Sequence, residues 1–131
     1  MIALDTNVLA RYFLADDRRQ AAKARALIED PGAELWLPIS VVLELAWVLR
    51  QKGVPREIIV ARLRDLLALS SIRPQMPDAI FQALRWTEEG LDVADAIHLA
   101  MSAKADGFVT FDNALVKVGA KLGARPAVRS L

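Results

Sequence analysis

Residues 2–9 read Ile2-Ala3-Leu4-Asp5-Thr6-Asn7-Val8-Leu9, and the way this stretch divides decides the fold. Ile2-Ala3-Leu4 is a short apolar run, read as a buried strand. Asp5-Thr6-Asn7 is helix-capping chemistry, because a side-chain oxygen here accepts from the free amides of a first helical turn. Val8 to Leu14, "VLARYFL", then continues as a helix. The order is strand, acid, helix.

The same order recurs to the end of the chain. Asp16 and Asp17 precede a helix reaching about Ile28, which Asp30-Pro31-Gly32 stops. "ELWLPI" reads as a second strand, and Ser40 is the expected cap of an apolar helix from Val41 to Gln51. Pro55 opens another helix, whose apolar stripe is Ile58, Ile59, Leu63, Leu66 and Leu67. "SIRPQ" is a short third strand, Pro77 to Glu89 a helix ended by Gly90, and Asp92 to Ala105 the next helix. "GFVTF" is a strand that Asp112 follows as Asp5 follows the first, and a last helix reaches Leu122 before the edge strand "PAVRS". Strands and helices alternate without hairpin signals, which predicts an α/β fold. The expected architecture is a three-layer α/β/α sandwich around a mostly parallel central sheet, built as one domain over residues 1–131.

Composition narrows the chemistry. With 54% hydrophobic and 25% charged residues the chain is of globular type. No apolar run approaches the ~20 residues that span a bilayer, and "MIALDTN" lacks the basic start of a signal peptide. A cytoplasmic protein with no membrane partner is expected. The absence of cysteine excludes disulfides, iron–sulfur clusters and thiol nucleophiles. A single histidine, His98, excludes a Cys/His zinc site. A hydrolase built from this chain must therefore work through carboxylates, with hydroxyl help. Lys and Arg number 17 against 16 Asp and Glu, a net charge of +1. Only Arg11, Arg18, Arg19, Lys23 and Arg25 form a basic cluster, which is a phosphate-binding patch or simply a solvated helix face.

Four acids stand out. Asp5 and Asp112 sit where strands end, on the rim where open α/β sheets place their ligands. Glu44 lies inside "VVLELAWVL", where every other residue is apolar. A helix apolar on nearly all sides should be buried, and an ionised glutamate there calls for a partner cation or a metal. The plainer alternatives are a narrow wet stripe or an ion pair with Arg50. Asp95 shares a helix face with His98 and Ser102, with Asp92 as N-cap and Asp95 in the first turn. Each acid alone is ambiguous, with capping the plain reading of Asp5, Asp95 and Asp112. Together, on one rim, Asp5, Glu44, Asp95 and Asp112 would need a compensating hard cation such as Mg²⁺ or Mn²⁺. The chemistry suggested is metal-assisted phosphodiester hydrolysis. His98 is set aside as a structural hydrogen-bonding residue, and its role stays open. Thr6, Asn7 and Thr110 stand beside the acids as groups able to orient them. Trp36, Trp47 and Trp86 are expected in the core or at an interface rather than as base-stacking platforms.

The ordered set "LDTNVL", a mid-chain "ExxxVL" from Glu44, "DVADAIHLA" and "TFDNAL" resembles the PIN-domain ribonucleases, and especially the VapC toxins of VapBC toxin–antitoxin pairs. The resemblance implies that Asp5, Glu44, Asp95 and Asp112 form an acidic quartet holding Mg²⁺ or Mn²⁺. It implies supporting roles for Thr6, Asn7 and Thr110, and an accessory acid at Asp92. It further implies an RNA substrate, often tRNA or rRNA, a homodimer, and a VapB-type antitoxin through which the pair binds promoter DNA. Two rival readings remain: a non-catalytic dimeric PIN-like binding module, in which the acids are only caps, and a haloacid-dehalogenase-like phosphatase. The phosphatase wants a second aspartate where Asn7 stands.

Overall fold

Strand, cap and helix follow one another in the computed structural model, which describes residues 1–131. The chain contacts divide into two compact units, Met1–Met76 and Pro77–Leu131. In the first, the order is β1 (Ile2–Ala3), α1 (Thr6–Leu14), α2 (Arg18–Ile28), β2 (Leu35–Leu37), α3 (Ile39–Gln51), α4 (Arg56–Leu67) and β3 (Ile72–Pro74). The strands form a parallel sheet in the order β1-β2-β3, with Ile2 opposite Leu35 and Leu35 opposite Ile72. The central strand β2 buries Leu35 and Leu37 completely. Around them lie the fully buried Leu9 of α1, Ile28 of α2, Leu45 and Leu49 of α3, and Leu63 and Leu66 of α4. Helix α1 packs on α2 and α3, and α3 on α4.

In the second unit the order is α5 (Pro77–Glu88), α6 (Val93–Ala100), β4 (Phe108–Thr110), α7 (Asn113–Leu122) and β5 (Val128–Ser130). Strands β4 and β5 pair in parallel, Phe108 opposite Val128, with α7 as the connection between them. Gly90, at φ +124°, turns the chain between α5 and α6 in a region that side chains rarely enter. Helices α5 and α6 pack against each other, and Ile80, Ala83 and Leu84 of the one and Ala96, Ile97 and Leu99 of the other are buried. Gly119 gives α7 its close approach to β5, since a Cβ there would meet Val128 Cγ2 at 2.8 Å. Every strand pairing in the chain is parallel, so the α/β class with parallel sheet is the observed one. No helix is long and apolar enough to cross a membrane.

Several local expectations need correction. The first strand is not buried: β1 lies at the sheet edge, Ile2 is 61% exposed, and Leu4 just beyond it goes inside instead. Ser40 does not cap α3. The helix starts two residues earlier than Val41, at Ile39 after Pro38, and the Ile39 amide donates to Gln75 Oε1 at 3.0 Å. Ile58 falls outside the apolar stripe of α4 and is exposed, while Val60 is buried. Helix α6 stops at Ala100, not Ala105. Beyond it the amides of Ser102 and Ala105 reach back only three residues, to Leu99 and Ser102, and the Ser102 hydroxyl donates to the His98 carbonyl.

Candidate functional site

In the first unit, Asp5 stands where β1 passes into α1. Its backbone is extended and its Oδ1 accepts the Thr6 amide at 2.9 Å, so it is the N-cap. Thr6 is buried, only 3% exposed, and anchors the start of α1, whereas Asn7 faces solvent. Val8, Ala24 and Leu27 form the floor of an open groove of about 340 Å³ between α1 and α2, which Asn7, Arg11, Gln20 and Lys23 border. The wall formed by Arg11 is fixed: its guanidinium donates to both Asp16 oxygens and to Gln20 Oε1, each at 2.8–2.9 Å. Arg25 is drawn toward Glu29 at 3.8 Å and lies over the Tyr12 ring. The basic cluster is therefore partly neutralised, with Arg18, Arg19 and Lys23 at the surface.

Glu44 is where the sequence misleads most. It is exposed, not buried, and makes no ion pair with Arg50 or any other cation. Ser40, Glu44, Trp47 and Gln51 are all exposed, and at ~100° per residue they fall within an arc of about 60°. This is the wet stripe of α3. The opposite side, with Val42, Leu45, Ala46 and Leu49, enters the core. Trp47 is 60% exposed on that stripe, outside the core altogether, whereas Trp36 and Trp86 are half-buried. Gln75 was not singled out in the sequence. It carries no local signal, because the amide it caps lies 36 residues away in α3, the helix that bears Glu44.

In the second unit, Asp92 caps α6 by accepting the Ala94 amide at 3.2 Å, and Asp95 lies half-buried in the first turn. His98, one turn on, is exposed. Asp112 caps α7 with more purchase: Oδ1 accepts from both Ala114 (2.9 Å) and Leu115 (3.2 Å). Thr110 Oγ1 accepts the Asp112 amide at 3.0 Å, which fixes the backbone that aims the carboxylate.

Asp5, Asp95 and Asp112 all sit at helix N-termini, where free amides and the helix dipole stabilise an anion. None of these three, nor Glu44, is paired with lysine or arginine. No group of three or more acidic or imidazole side chains is spaced to hold a metal ion by itself. The donor chemistry nevertheless suits Mg²⁺ or Mn²⁺: all oxygen, with the second oxygen of Asp5 and of Asp112 uncommitted. Mg²⁺ is usually held through one or two carboxylates, keeping waters and taking substrate phosphate as further ligands.

The PIN domain family model matches residues 2–121, nearly the whole chain. A search of curated proteins gave no match. PIN domains are in general nucleases, often metal-dependent ribonucleases. A parallel α/β fold with acids at its helix starts, matched over almost its full length, places this chain in the PIN domain family.

Proposed function

We propose that this chain is a divalent-metal-dependent endoribonuclease, the toxin half of a VapBC-type pair. The observation that carries the reading is the set of acids without cationic partners, three of them on helix N-termini, in a PIN domain. Asp5, Glu44, Asp95 and Asp112 are the residues that would hold Mg²⁺ or Mn²⁺, with Asp92 as an accessory acid. Bound there, the ion would lower the pKa of a water and neutralise charge on the phosphate. The chain's own part is to aim the acids. Thr6 holds one oxygen of Asp5 and leaves the other for a ligand. Thr110 and the α7 amides do the same for Asp112. Asn7 faces solvent beside Asp5 and can orient a water or a phosphate oxygen.

The substrate in this reading is RNA, of the tRNA or rRNA kind, in the cytoplasm. The protein acts as a homodimer, is silenced by a VapB-type antitoxin, and meets promoter DNA only through that antitoxin. The test is direct. Purified protein freed of any antitoxin should cut RNA with Mg²⁺ or Mn²⁺ and stop in chelator. Asp5→Asn should abolish cutting while the melting curve stays close to wild type, since an amide oxygen still caps α1. Cleavage that survives in Asp5→Asn, or in excess chelator, refutes the assignment.

A further inference from the structure

Trp47 is a large aromatic left in water on the one stripe of α3 that also carries Glu44. Side chains three apart on a helix are neighbours, ~5–6 Å between their Cβ atoms. An exposed tryptophan on an otherwise apolar helix needs an explanation, because turning the indole inward would remove a large apolar area from water. Resting on the ribonuclease reading above, we propose that Trp47 is a base-stacking platform, holding an unpaired RNA base one helical turn from Glu44.

Three features favour a base over a protein partner. The stripe around Trp47 is polar, made of Ser40, Glu44 and Gln51, whereas a protein interface has a contiguous apolar centre. A flat aromatic among polar groups suits a nucleobase, whose faces are apolar and whose edges hydrogen-bond. The indole also offers what the acids lack. Carboxylates repel the RNA backbone, so an uncharged stacking contact can hold the strand near Glu44 without competing for the cation. Single-stranded RNA is the form that can stack, because bases in a duplex are already stacked on one another.

The experiment uses the full chain in chelator, so that binding is read without cleavage. A short single-stranded polyadenylate should quench tryptophan fluorescence, and a duplex RNA of similar length should do so far less. Trp47→Leu should abolish most of the quenching and weaken binding roughly 5- to 150-fold, the range found for losing one base–aromatic stack. Trp47→Phe, which keeps an aromatic face, should retain most of the affinity. With metal restored, the loss in Trp47→Leu should fall on KM rather than on kcat. Equal affinity and KM in Trp47→Leu overturns the platform while leaving the nuclease reading intact. So does a change confined to sedimentation, which would make Trp47 a contact between protein chains. A wild-type protein that binds and is quenched but never cuts refutes the nuclease and keeps the platform. A wild-type protein that neither binds nor cuts overturns both.

Discussion

Asp112 can be made to separate the capping role it has in the structure from the metal-holding role proposed for it. Its Oδ1 accepts two α7 amides, Ala114 at 2.9 Å and Leu115 at 3.2 Å, while Oδ2 is uncommitted. Asp112→Ala removes the cap, a change worth about 1 kcal/mol, within a range of roughly 0.5–2. Asp112→Asn keeps an oxygen in the same place, and Asn caps as well as Asp. What it loses is the charge on the helix dipole, ~0.3–1 kcal/mol at an exposed end. For a chain of this size one kcal/mol moves the melting temperature by roughly 3–6 °C. Asp112→Ala, which loses cap and charge together, should therefore melt about 4–12 °C below wild type, and Asp112→Asn about 1–6 °C below it. Both should lose RNA cleavage, since neither offers an anionic oxygen. Circular-dichroism melts beside a cleavage assay with Mg²⁺ read the two effects separately. If Asp112→Asn still cuts RNA, Asp112 is only a cap. If Asp112→Asn melts as low as Asp112→Ala, the capping geometry is wrong.

Three further outcomes are expected. Glu44→Gln should change stability by less than about 0.5 kcal/mol, because the side chain is exposed and unpaired, yet it should abolish cleavage; a large drop in melting temperature would mean a buried charge after all. Gly119→Ala gains ~1 kcal/mol of helix propensity but drives a Cβ to 2.8 Å from Val128 Cγ2 and 3.1 Å from its Cβ. A β-branched neighbour has little freedom to turn away, and overpacking at about 1–3 kcal/mol should win. The variant should melt below wild type, Val128→Ala should relieve it, and a higher melting point in the single variant would show that α7 and β5 have room. Hydrogen bonds from Arg11 hold the Asp16 carboxyl below its usual 3.8. The ionised form is thus favoured on folding, so its contribution is complete above that value and is lost as pH falls through the lower folded-state pKa. The small gap in melting temperature between wild type and Asp16→Asn should accordingly close in acid, and a gap that widens in acid would contradict the Arg11 contact.

What the sequence determined by itself was the local grammar. Asp5, Asp92 and Asp112 are N-caps as expected, and five strands and seven helices follow in the expected order. These signals are short-range: a side-chain oxygen, a few amides, a proline or a glycine within one turn. The same locality made the acids visible as candidates, because the positions that cap helices after strands are also the positions on a ligand-binding rim.

Only the tertiary structure decided which faces meet water. Glu44 looked buried because its helix is apolar nearly all round, yet the partners α3 has leave one stripe open, and that stripe carries both Glu44 and Trp47. Ile2 looked buried because apolar runs usually are, yet its strand has a neighbour on one side only in its sheet. The cap on α3 comes from Gln75 rather than from the adjacent Ser40, across a parallel sheet that brings distant residues together. Periodicity says which residues could share a face. Which face is covered depends on chain that arrives from elsewhere, and that information is not local.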